Sequence, residues 1–200
     1  KQQEPFFKIA LTLSSHEPYD IKGDYKFGAD TDDNLFRSAH FYTDKVIGDF
    51  IEFAKKQEWY KNTLIIIMSD HGHSLPEHEG PYFSPKKFRI PMLWLGGAIN
   101  KEITEVATLS SQVDFPYTLL DLLGGDNDPF VFSKNIFNTS SNQYAFYTFN
   151  KGYGVLNKDG VFVYDYIGKK PILETGKNTR MLDSLGKSIG QNSYQDFLER

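Results

Sequence analysis

Residues 64–68, Leu-Ile-Ile-Ile-Met, constrain the fold more than any other stretch of this chain. A short, unbroken aliphatic run reads as a strand covered on both faces, the habit of parallel sheets flanked by helices. The run stops at Ser69-Asp70-His71-Gly72, so a carboxylate and an imidazole stand at the carboxyl end of the strand. Ligand-binding groups of open α/β sheets gather there. His73, Glu77, His78 and Glu79 follow, adding oxygen and nitrogen donors suited to a divalent metal, with no thiol among them. Neighbouring side chains of a strand point to opposite faces, so Asp70 and His71 can share a metal only if the backbone turns between them. Gly72 makes such a turn easy. The alternative is a polar surface turn.

The rest of the chain reads as alternating elements. Phe6–Leu13 is a second apolar strand candidate, with His16 just past its end. Residues 20–34 form a loop in which Asp32 or Asp33 would cap the next helix. From Asn34 to Gln57, Leu35, Ala39, Tyr42, Val46, Phe50 and Phe53 recur every three or four residues, giving a helix with one buried stripe. His40 lies off that stripe and reads as solvated. Ile90–Leu95 is the next strand, closed by Gly96-Gly97, and residues 110–123 form a helix stopped by Gly124-Gly125. Strand, helix, strand with a long crossover argues for a parallel sheet. Beyond Pro129, residues 144–149, 154–156 and 161–167 are short, aromatic or β-branched, and separated by turns such as Asn157-Lys158-Asp159-Gly160, the pattern of an antiparallel meander. From Glu174 onward the chain is polar, with a weak terminal helix.

Composition removes some function classes. A net charge of −4 is wrong for a phosphate-backbone binder, so no nucleic-acid partner is expected. The apolar runs are far shorter than the roughly 20 residues of a membrane span. With no cysteine, disulfides and thiolate metal sites are excluded.

The Ser-Asp-His-Gly segment after its aliphatic strand resembles the metal-binding motif of the alkaline phosphatase and sulfatase superfamily, closest to the lipoteichoic acid synthase and phosphoethanolamine transferase branch. Further blocks agree in order: Thr12–Tyr19 with its His-x-Pro-aromatic segment, Tyr42-Thr43-Asp44, Tyr60–Leu64, Arg89–Leu93 and Ser111–Gly124. The resemblance implies that Asp70 and His71 are metal ligands, that His16 contacts the phosphate or leaving group, and that His78 lies near the phosphate. His73 departs from the transferase pattern and is left outside the coordination shell. Lys86 stands where sulfatases carry a substrate lysine, but reads better as part of a solvated basic pair with Lys87. Asp44 fits a helix surface and Asp114 a helix start, and neither is given a catalytic role.

The expected fold is therefore α/β: the carboxyl-terminal part of an alkaline-phosphatase-like domain, with a mainly parallel sheet flanked by helices and a small antiparallel region near residues 144–167. Residues 1–200 form a single partial catalytic domain, 1–125 carrying the metal motif and 126–200 the antiparallel region and tail. The superfamily's early acidic ligand and its Thr or Ser nucleophile have no recognisable counterpart here. The expected partners are accordingly the missing amino-terminal half of the same protein, which would also supply the membrane association, and a phospholipid or glycan substrate. The expected cofactor is Mn²⁺ or Zn²⁺, with Mg²⁺ or Ca²⁺ as alternatives, and the expected place is the extracytoplasmic face of a bacterial membrane. The expected function is metal-dependent phosphoryl transfer or hydrolysis, with this chain alone inactive. Its rivals are a sulfatase fragment and a non-catalytic binding or structural module that keeps the fold. His16 is expected to share a cleft with Asp70 and His71, with His78 on its rim.

Overall fold

A computed structural model describes residues 5–76, 80–99, 102, 105–139 and 143–200. The chain divides into two compact units, residues 1–82 with 89–100 and residues 83–88 with 101–200. The expected division near residue 125 is not the one between these units.

In the first unit, helix α1 spans Asp32–Ala54. Thr31, rather than either aspartate, caps it: its Oγ1 accepts the backbone N–H of Asn34 at 3.2 Å. Asp32 and Asp33 fall in the first turn, where their charge complements the helix dipole. Ser38, Ala39 and Ala54 are buried, but Val46, Phe50 and Phe53 of the expected inner stripe are about half exposed. Strand β1 is Leu64–Met68 and β2 is Met92–Gly96. They pair antiparallel, Leu64 opposite Gly96 and Met68 opposite Met92, which corrects the expected parallel pairing. A parallel neighbour needs a crossover element that carries the chain back to its starting edge. Between β1 and β2 the described residues hold only a short 3₁₀ turn at Pro85–Phe88, and β2 starts at the end where β1 stops. Gly96 has φ 118°, and a Cβ there would sit 2.1 Å from the Thr63 carbonyl oxygen, so this strand must end in glycine.

Phe6–Leu13 runs without strand hydrogen bonding, and Ile9, Leu11 and Leu13 are 77%, 82% and 80% exposed. The strand expected there is not formed among the described residues. An apolar run becomes a strand only when a neighbour takes up its backbone groups, and none does.

The second unit holds helix α2 (Asp114–Leu122), strands β3 (Tyr144–Phe149), β4 (Gly152–Asn157), β5 (Gly160–Asp165) and β6 (Lys170–Gly176), and helix α3 (Thr179–Glu199). The strands form one antiparallel sheet in chain order, as the meander pattern implied, with β6 as an added edge. Asn157 Oδ1 accepts the N–H groups of Asp159 and Gly160 at 2.8 and 2.9 Å, which folds the β4–β5 turn. The core joins Tyr153 and Val155 of β4, Phe162 of β5 and Leu182 of α3. The helix lies close because Gly186 has no side chain: a Cβ there would stand 2.1 Å from Tyr153 Cε2.

A buried polar knot ties α2 to residues 134–136. Asp114 is 1% exposed; its carboxylate accepts the Ser111 N–H at 2.7 Å and the Lys134 N–H at 2.9 Å, and pairs with Lys134 Nζ. Thr118 donates to the Asp114 carbonyl and accepts the Ile136 N–H at 2.9 Å. Every oxygen of the buried carboxylate is thus satisfied. No helix among the described residues is long and apolar enough to cross a membrane.

Candidate metal centre

The loop after β1 is held by its own short contacts. Ser69 N–H bonds the Pro91 carbonyl at 3.4 Å, and Ser69 Oγ donates to the His71 carbonyl at 2.7 Å. The His71 N–H in turn bonds Asp70 Oδ1 at 3.0 Å. Together these turn the backbone between Asp70 and His71, as a shared ligand requires. Their side chains converge: His71 Nε2 lies 3.7 Å from Asp70 Oδ2, and both are exposed.

His71 Nδ1 lies 2.8 Å from the Gly72 carbonyl oxygen. A carbonyl can only accept, so this contact places the proton on Nδ1 and leaves the Nε2 lone pair directed away. Metal-bound histidines are oriented in this way, with the non-ligating nitrogen donating to a backbone carbonyl or carboxylate. Asp70 and His71 therefore fit a divalent cation as two adjacent donors. No group of three or more His, Cys, Asp or Glu able to hold a metal occurs among the described residues.

The expected phosphate-contacting residues are placed unequally. His16 is exposed in a turn in which its own carbonyl accepts the Tyr19 N–H at 2.8 Å. Its Nδ1 bonds the Glu17 carbonyl oxygen at 2.8 Å, leaving Nε2 available. Glu17, the next residue, puts Oε1 4.0 Å from His73 Nε2, so the His16 turn reaches the loop that carries Asp70 and His71. His78, with Glu77 and Glu79, lies outside the described residues. Lys86 is exposed in the second unit.

His73 gains a setting that sequence pattern did not assign to it. Its ring stacks on Phe36 of α1 at 5.1 Å, and Phe36 stacks on His40 at 3.8 Å. Its Nδ1 accepts the Leu75 N–H at 2.9 Å, so Nε2 is the nitrogen that faces Glu17. Partial burial holds the His73 pKa below the usual histidine value; Glu17 opposes that shift, and His71 and His40 add to it. His40 is exposed, as expected, and its ring also stacks on Phe36. The only local hint was the i, i+4 spacing of Phe36 and His40 on α1.

Comparison with known proteins places these residues in context. The family model described as Sulfatase matches residues 1–125. Lipoteichoic acid synthase 2 of Bacillus subtilis (strain 168) is 28% identical over 148 residues, covering 65% of this chain and 22% of that protein. Lipoteichoic acid synthase of Staphylococcus aureus (strain NCTC 8325 / PS 47) is 26% identical over 219 residues, covering 98% of this chain and 31% of that protein. Among solved structures, an alkaline phosphatase superfamily protein from Vibrio parahaemolyticus aligns with TM-score 0.69 and 23% identity, over 92% of this chain and 48% of that one. Lipoteichoic acid synthase LtaP from Listeria monocytogenes aligns with TM-score 0.67 and 20% identity, over 92% and 52%. The α/β fold is thus that of the alkaline phosphatase superfamily. The chain spans about half the length of these structures and less than a third of the curated relatives.

Proposed function

This chain belongs to the sulfatase family, and we propose that it is the part of a metal-dependent phosphoryl-transfer enzyme that carries half of the metal site. The observation that carries the reading is the convergence of Asp70 Oδ2 and His71 Nε2 at 3.7 Å, with His71 Nδ1 already engaged by the Gly72 carbonyl. The substrate class we assign is an extracytoplasmic phospholipid or glycan carrying a phosphodiester, in line with the lipoteichoic acid synthases among the relatives. The remaining ligands and the hydroxyl nucleophile belong, on this reading, to a further segment of the same protein. That segment would also bring the membrane association.

A bound divalent cation, Mn²⁺ or Zn²⁺ in our assignment, would supply Lewis-acid charge at the transferred group. The chain's own residues do the rest of the positioning. Asp70 and His71 present one oxygen and one nitrogen from a single turn. Ser69 stiffens that turn through the His71 carbonyl. His16 holds Nδ1 on the Glu17 carbonyl and offers Nε2 to a phosphate oxygen or to the departing alkoxide, which it can stabilise as a donor when protonated. Glu17 and Phe36 hold His73 beside the metal loop.

The chain by itself should not turn over an aryl phosphodiester or an aryl sulfate, because the residues assigned here include no hydroxyl nucleophile and only two of the metal ligands. Steady-state assay of the pure chain with Mn²⁺ or Zn²⁺ checks this. Turnover that disappears in Asp70→Ala would overturn the half-site assignment, and turnover of the sulfate in preference to the phosphodiester would favour a sulfatase.

A further inference from the structure

We propose that one end of the second unit is a contact surface for an anionic lipid bilayer. The inference does not depend on the metal-site reading. The β3–β4 and β5–β6 turns lie together at this end: Gly152 pairs with Asp165, Asp165 pairs with Lys170, and the Tyr166 N–H bonds the Lys151 carbonyl at 2.7 Å. Helix α3 travels toward the same end. Leu182 is in the core, Gly186 lies over Tyr153 and Val155, Lys187 Nζ stands over the Tyr164 ring at 5.7 Å, and Gly190 comes next to the Tyr166 hydroxyl.

The helix then continues for nine residues, to Glu199, a rise of about 13 Å at ~1.5 Å per residue. Beyond Gly190 all its residues are exposed except Asp196, which is half-buried. Tyr194, Phe197 and Leu198, at i, i+3 and i+4, share one face of this overhang. Tyr166 and Ile167 project from the β5–β6 turn, and all five side chains are at least half exposed, Ile167 and Phe197 at 74%. The acidic residues of the overhang lie off this face: Asp196 pairs with Arg200, and Glu199 accepts from Gln195.

Lys151 of the β3–β4 turn and Lys169 and Lys170 of the β5–β6 turn lie at this same end, all three exposed and without an ion-pair partner among the described residues. Aliphatic and aromatic side chains beside lysines, with tyrosines among them, match a headgroup–acyl boundary bearing negative charge. A purely apolar protein partner would leave those lysines without a counter-charge. No helix among the described residues is suited to spanning, so the contact proposed is interfacial.

The experiment is sedimentation of the purified 200-residue chain with vesicles of phosphatidylcholine alone or mixed with phosphatidylglycerol, at low and high salt. The chain should bind the phosphatidylglycerol vesicles and release them in salt. Ile167→Asp with Phe197→Asp should weaken binding about tenfold or more, and Lys169→Glu with Lys170→Glu about tenfold, with a flatter salt dependence. Phe7→Asp, in the exposed amino-terminal run of the first unit, should change nothing. Because the chain has no cysteine, a nitroxide on Leu198→Cys gives a readout that does not rely on those variants folding. It should become buried on vesicle addition, while a label on Lys158→Cys, at the opposite end of the sheet, should not. Failure to bind anionic vesicles, or binding lost in Phe7→Asp and kept in both double variants, overturns the proposal. So does self-association abolished by Phe197→Asp without vesicle binding, which would assign the patch to a second copy of the chain.

Discussion

The two units differ in how far each closes on itself. In the second, strands β3, β4 and β5 share a core with α3, and even the buried Asp114 carboxylate is fully partnered. In the first, the buried apolar side chains among the described residues are Tyr19, Ala39 and Ala54, and every residue of β1 is only partly buried. Among the described residues its sheet has two strands, too few to be stable alone in water, and the apolar run 6–13 is exposed. The unit with the candidate metal ligands is therefore the less finished one. The better-packed core and the candidate ligands thus lie in different parts of the chain.

This contrast sets the order of expected mutational effects. The largest is Asp114→Ala. It leaves Lys134 without its buried counter-charge and strips acceptors from the Ser111 and Lys134 N–H groups, so it should cost about 3–5 kcal/mol. Urea denaturation followed by the circular dichroism of the second unit measures it, and a loss below about 1 kcal/mol would mean that the knot does not hold this unit closed. Leu182→Ala, in the same core, should cost about 2–5 kcal/mol, whereas Leu11→Ala in the first unit should stay within about 0.5 kcal/mol. Equal losses at the two leucines would break the comparison outright. Between the two leucines falls Thr31→Ala, which removes the α1 cap and should cost about 1 kcal/mol. It is best read by amide exchange in the first turn of α1.

Local chemistry was legible wherever the sequence settled it locally. The α1 helix, the β1 run, the glycine stop of β2 and the 144–167 strands all follow from periodicity or turn residues. Three features did not. Pairing direction depends on what lies between two strands, and residues 69–91 carry no periodic helix to reveal it. Strand β6 contains Pro171, which reads as a breaker but is tolerated on an edge where its missing N–H faces no partner. The third is the full length of helix α3, beyond the weak terminal helix that the polar tail suggests: Gly186 and Gly190 lower its propensity, and Gly186 is what lets it approach the sheet. His73 was passed over for a related reason. Glu17 and Phe36 come to it from distant segments, and no spacing in the chain announces such a meeting.

The metal assignment is tested most directly by titrating the isotopically labelled chain with Mn²⁺ and following paramagnetic broadening of its amide resonances. Asp70 and His71 as a two-donor half-site predict broadening centred on residues 69–73 and reaching the His16–Glu17 turn, with affinity no tighter than about micromolar, since two ligands hold a cation more weakly than the three or four of a full shell. Asp70→Asn and His71→Ala should each abolish it. Broadening centred elsewhere, or a tight site that survives both substitutions, would contradict the assignment.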